Sequence, residues 1–311
     1  MDDGGGGERE DSGLSQRLRS WAPAIAPVTI LSALLFYFGY VSSRALYEYF
    51  GIDVDTIGLG TQDYIMRSPQ PLLVPVLLLT LLGAGGLLLH AAIHRRITNV
   101  GLPPRRIRRL IGAAKVTGAV VLAAAIVLLF AYGLVREWAA YSLVTPLLVI
   151  TGGGLATYAW RLSDLIGEAP WDGPATRTPA HADPGAMLRR TGRFMIYVLI
   201  VTAVFWVTAT VAQWSGRGQA RDTAVYLGRL PRVILDTKER LYLRSLVVEE
   251  SRLPDAEGQT FRYRYRRLRL LVIGQDRMFL VPEVWSAGNS TLIIPIDGSV
   301  RIQFQFQNDA P

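Results

Sequence analysis

Apolar residues along this chain gather into five long blocks separated by polar intervals: Ala22–Val41, Leu72–His90, Gly112–Val135, Trp138–Trp160 and Phe194–Trp214. A helix rises about 1.5 Å per residue and a bilayer core is about 30 Å thick, so a block of roughly 20 residues suffices to cross. No Asp or Glu sits at the centre of any block. The pattern predicts spanning helices rather than the one-sided helices of a globule. Glycines and alanines recur inside the blocks: Gly83, Gly85 and Gly86, then Ala114 and Gly118, then Gly152–Gly154. Small faces of this kind let helices approach closely where lipid gives no hydrophobic drive. They suit packing within the chain or a homo-oligomer contact.

Beyond Ala224 the period changes to two. Val300, Ile302, Phe304 and Phe306 alternate with Arg301, Gln303 and Gln305, as on a half-buried strand. Asp297-Gly298 before it, with Leu292–Ile296 on the far side, predicts a hairpin. A second hairpin is expected between Leu270–Ile273 and Met278–Val281. Val233–Leu235 and Leu241–Val248 are further strand candidates. In Phe261–Leu271 the aromatic residues hold odd positions up to Tyr265, then Leu268 and Leu270 hold even ones. One strand cannot keep its core face through that slip, so a bulge or break is predicted at Arg266-Arg267.

The expected fold is an α-helical integral membrane bundle of about five transmembrane helices, residues 21–215, followed by a small mostly-β domain, residues 222–308, built as a sandwich or open barrel. Residues 1–20, rich in Gly and charge, are expected to form a disordered tail. Residues 162–192 carry four prolines and read as a flexible linker.

Charge adds a direction. Counting loops alternately puts fourteen arginines on one side and three on the other. Cationic loops resist translocation, so the N-terminus is expected in the cytoplasm of a plasma-membrane protein. An odd number of spans then leaves the β domain extracytoplasmic. Arg217, Arg221, Arg229 and Arg232 follow the last block and oppose that assignment, which makes the fifth span decisive. The formal charge of +8 needs no nucleic acid, because membrane-flanking arginines account for it.

Candidate chemistry is sparse. The absence of cysteine excludes thiolate catalysis and Cys-ligated metals. His90 and His94 have the spacing of two ligands on one helix face, but no neighbouring Glu completes a zinc-protease motif. No ionisable residue lies near the centre of a block, which disfavours ion-coupled transport. No cofactor, metal site or catalytic residue is expected, and the chain reads as a non-enzyme.

Two surfaces remain. In the first, Tyr40, Arg44, Tyr47 and Tyr64 form an aromatic segment after the first block. It reads either as an interfacial belt beside a short helix starting at Thr61, or as a ligand-contacting collar. In the second, Arg262, Arg264 and Arg266 share a strand face. That face is either solvated or a contact for an anionic partner: headgroups, a cell-envelope polymer or an acidic protein. A binding or scaffold protein is therefore the leading expectation, and a channel or uncoupled transporter subunit the alternative.

The segments YFGY, YFGID, TQDY and RS between Tyr37 and Ser68, with YRYRRLRLLV and FLVPEVW near the C-terminus, resemble an uncharacterised family of multi-span actinobacterial membrane proteins. The resemblance implies a membrane location and a source and carries no activity. Arginine in place of nearly all lysine, with abundant Ala and Gly, points to the same GC-rich source.

Overall fold

The computed structural model describes the backbone of residues 7–100, 104–135, 137–167, 184–286 and 288–305, and the side chains of 27–93, 95, 108–135, 137–163, 190–286 and 288–305. Among the described residues eight α-helices precede an antiparallel sheet: α1 (Gly7–Tyr49), α2 (Val54–Ile57), α3 (Thr61–Arg67), α4 (Pro69–Val100), α5 (Pro104–Phe130), α6 (Tyr132–Val135), α7 (Tyr141–Gly167) and α8 (Pro184–Val225). Among the described residues, five of them contain segments long and apolar enough to cross a membrane: Pro27–Tyr49, Pro69–Ile93, Arg108–Phe130, Tyr141–Ser163 and Arg190–Val225. The chain divides into two compact units, residues 74–211 and the remainder.

Several helix boundaries depart from expectation. Residues 7–20, expected to be disordered, continue α1 towards the N-terminus; extending a formed helix is far easier than nucleating one. The third block stops at Phe130, and a separate turn of helix, α6, follows before α7. Both edges of the supposed linker are helical. Residues 162–167 finish α7, and Pro184 opens α8, where its missing N–H costs nothing. Pro170, Pro174 and Pro179 lie outside the described residues. Finally, α8 runs to Val225, past both the expected end at Trp214 and the expected domain start at residue 222.

Within residues 74–211, α5 and α7 pack at glycine. A methyl group on Gly118 would come within 2.9 Å of the Ala156 nitrogen, and one on Gly152 within 2.8 Å of the Leu122 nitrogen. Gly153 faces Ile196 and Ile200 of α8. Ala125, Val149 and Ala203 close this small core. The α4 glycines, Gly83, Gly85 and Gly86, face open space.

In the other unit, six strands follow α8 among the described residues: β1 (Arg232–Thr237), β2 (Glu249–Arg252), β3 (Tyr263–Ile273), β4 (Arg277–Pro282), β5 (Leu292–Pro295) and β6 (Val300–Gln305). Their order is β5-β4-β3-β1-β6, with β2 beside β3. The hairpin of β3 and β4 forms as expected, with Ile273 opposite Met278. The Asp297-Gly298 turn does not join a hairpin: β5 pairs with β4, and β6 pairs with β1. Laid flat at about 4.8 Å per strand, that order would set β5 and β6 about 19 Å apart, the full reach of the residues joining them. The sheet curls instead. Val233, Leu235, Tyr265, Leu268, Leu280 and Ile294 fill its inner face, closed by Val300 and Ile302 of β6. Residues 241–248, a strand candidate, form no strand. Leu241, Leu243 and Val248 lie over the inner core, and the Leu241 N–H donates to the Tyr265 hydroxyl at 2.7 Å.

The bulge falls where the pattern slips. Along β1, Val233 faces Leu268 while Leu235 faces Tyr265, so Arg266 and Arg267 together oppose Ile234. Arg267 takes a positive φ of 63°. The extra residue lets Tyr265 and Leu268, both fully buried, turn inward across the slip. It also marks where β3 changes partner, from β2 on its N-terminal half to β4 on its C-terminal half.

Candidate functional site

The outer face of the curled sheet is covered by the segment that follows α1. Tyr47, Phe50, Ile52, Val54, Ile57 and Tyr64 share one core with Val272, Phe279 and Val281 of the sheet. Ala220 of α8 and Leu227 join it. Local signals build the segment. Asp53 caps α2, accepting the Asp55 N–H, and Gly58 ends α2 at φ 74°. The Gly60 N–H donates to Asp63 at 2.8 Å where α3 begins. Two backbone approaches then fix it. A Cβ on Gly39 would overlap the Tyr64 carbonyl, and one on Gly274, in the β3–β4 turn, would overlap the Ile57 carbonyl. Thr291 donates to the Phe50 carbonyl at 2.6 Å, and Trp285 meets the Phe50 ring edge-on at 5.0 Å.

The aromatic segment divides by burial. Tyr47 and Tyr64 are core residues at 3% and 5% exposure. Arg67 donates to the Tyr47 hydroxyl and lies 5.7 Å from that ring's centroid. Tyr40 is half-buried, stacked edge-on to Tyr64 at 5.5 Å and donating to Asp55 at 3.3 Å. Arg44 is exposed and pairs with Glu48 one turn on, at 2.7 Å. Tyr47 and Tyr64 thus lie in the core shared by α1, α3 and the sheet, and of the four it is Tyr40 and Arg44 that keep surface.

The arginine face divides as well. Arg264 grips Asp236 with both ends of its guanidinium, at 2.8 and 3.0 Å, and Arg301 adds bonds of 2.6 and 3.0 Å to the same carboxylate. Asp236 is fully buried. Burial alone would raise its pKa, but hydrogen bonds from Arg264 and Arg301 outweigh it and hold the carboxyl below its ordinary range. A second carboxylate, Glu283, receives Arg232 at 3.0 Å, Arg267 at 3.2 Å and Arg269. The same opposition of burial against Arg269 and Arg267 leaves its pKa lowered. Arg269 also donates to the carbonyls of Leu230 and Gly228, tying the turn after α8 to the sheet. Arg266 and Arg262 stay exposed, with no carboxylate partner among the described residues. Arg262 lines an open cleft of about 260 Å³ with Arg252, Pro254, Asp255, Gln259 and Phe261.

Sequence reasoning could not see that Arg264 has Asp236 and Arg301 as neighbours, because they meet only through strand register. His90 bonds the Tyr158 hydroxyl at 3.2 Å, and the His94 side chain lies outside the described residues. Among the described residues no cluster of His, Asp or Glu could hold a metal. No family model, curated protein or solved structure matches the chain.

Proposed function

We propose that this chain is a multi-pass plasma-membrane protein with a cytoplasmic N-terminus. Its first loop and C-terminal sheet form one extracytoplasmic module that binds a cell-envelope component or a protein partner without catalysing a reaction. The observation that carries the reading is the shared core of residues 47–64 and the sheet. A core cannot form across a bilayer, which supports placing the end of α1 and the end of α8 on the same side. Four crossings, by α4, α5, α7 and α8, satisfy that condition, and the arginine asymmetry makes the shared side external. The apolar surface of α4 supports the membrane itself: Leu81, Leu82, Leu87 and Leu88 are 60–73% exposed, which water would penalise and lipid would not. The glycines of α5 and α7 are used in helix contact, which favours binding over a channel.

The exposed Arg262, which lines the cleft, and the exposed Arg266 farther along β3 are the contact for an anionic partner, since Arg264 is neutralised internally. Side-specific labelling tests the assignment. The chain has no cysteine, and Ser290 is exposed. Ser290→Cys is expected to react with an impermeant maleimide in whole cells; labelling only after lysis would place the module inside and overturn the reading. Alanine at Arg262 and Arg266 should then weaken crosslinking of the module to any envelope partner.

A further inference from the structure

Three strands of the sheet have a neighbour on one side only: β2, β5 and β6. Unpaired edges invite other chains, and proteins usually block them with charge, proline or brevity. β2 is blocked by charge, with Glu249, Glu250 and Arg252 all exposed. β5 is four residues long and ends at Pro295, which has no N–H to offer. β6 has neither protection. It is six residues long, and its one charge, Arg301, is held by Asp236. Gln303, Phe304 and Gln305 are exposed, Phe304 at 54%. Its outer edge has no backbone partner among the described residues.

We propose that β6 pairs antiparallel with β6 of a second copy of this chain, centred on Gln303. A two-fold axis perpendicular to the paired strands requires that opposed residues lie on the same face. Centring on Gln303 sets Ile302 opposite Phe304 twice, Arg301 opposite Gln305 twice, and Gln303 opposite itself. Each exposed Phe304 then covers the other copy's half-buried Ile302, the kind of cross-strand pair that stabilises sheets. No like charges face each other. Centring on Arg301 would oppose two arginines. Centring on Ile302 would leave out Gln305 and draw in Val300, which adjoins the turn and is already half-buried in the inner core. The chosen register pairs residues 301–305 and so brings in all of the exposed stretch 303–305.

The inference needs the full chain but not the side of the membrane on which the module lies. Directly opposed Cβ atoms sit about 4.5–5.5 Å apart, close enough for a disulfide after small adjustment. Gln303→Cys in the full-length protein, oxidised in membranes with a permeant catalyst, is expected to give a disulfide-linked dimer as the main product. Ser251→Cys on β2 should stay monomeric. Equal crosslinking at the two positions, or none at Gln303→Cys, overturns the proposal. Adding Phe304→Asp to Gln303→Cys should cut the dimer at least several-fold while the melting temperature holds; a dimer yield unchanged by Phe304→Asp also overturns it.

Discussion

Leu81 of α4 and Phe279 of β4 are both large, apolar and central to their elements, yet one is 60% exposed and the other fully buried. The same contrast separates the two units of the chain. In the sheet and the segment covering it, apolar side chains meet one another, and the carboxylates of Asp236 and Glu283 are matched to named arginines. In residues 74–211, leucines face outward, and contact between α5 and α7 is made by glycine. The sheet and its covering segment are organised by exclusion of water; around residues 74–211 the proposed bilayer would not reward burial and would leave helix contact to close backbone approach. Each substitution below tests that difference.

Phe279→Ala should have the largest effect, about 3–5 kcal/mol lost from the module, as for other fully buried aromatic truncations. Thermal melts in detergent, followed by near-ultraviolet dichroism, would show it as loss of the tertiary signal at lower temperature. Leu81→Arg comes next. An exposed leucine in water tolerates arginine, but mid-bilayer the exchange costs roughly 2.5–3.5 kcal/mol on insertion scales. Membrane-fraction yield should therefore fall sharply; normal yield would place α4 in water and collapse the contrast.

Acid should act on the module through its clamped carboxylates. Asp236 and Glu283 have folded pKa values below their ordinary ones. Their stabilisation is complete above the unfolded pKa of about 4 and declines as pH falls through the folded values. Melting temperature should drop below about pH 4, and Asp236→Asn, less stable at neutral pH, should flatten that drop. A pH-independent melt would mean that the arginine clamps contribute nothing. Arg44→Ala should matter least, with melting temperature almost unchanged, since its partner Glu48 is one turn away and both are exposed. A shift of several degrees would assign Arg44 a role beyond that pair.

What could be read from residue order was local. The apolar blocks, the β3–β4 hairpin and the bulge at Arg266-Arg267 follow from periodicity, because each depends on neighbours a few residues apart. The failures were non-local. Asp297-Gly298 carries hairpin chemistry, yet curling of the sheet sends β5 to β4 and β6 to β1. Nothing near Asp236 announces Arg264 or Arg301, 28 and 65 residues away. Tyr47 and Tyr64 look like surface aromatics until the sheet that buries them is in place.

The bond from Thr291 to Phe50 joins residues 241 apart. At a synthesis rate of about 5–20 residues per second, the ribosome adds that stretch in roughly 10–50 seconds. For that whole interval Phe50, Ile52, Val54 and Ile57 have no sheet to cover them, while α4, α5, α7 and α8 are being made. A chain stopped before β4 would keep that apolar patch uncovered for good. Quality control that detects exposed apolar surface would thus destroy incomplete copies and spare finished ones.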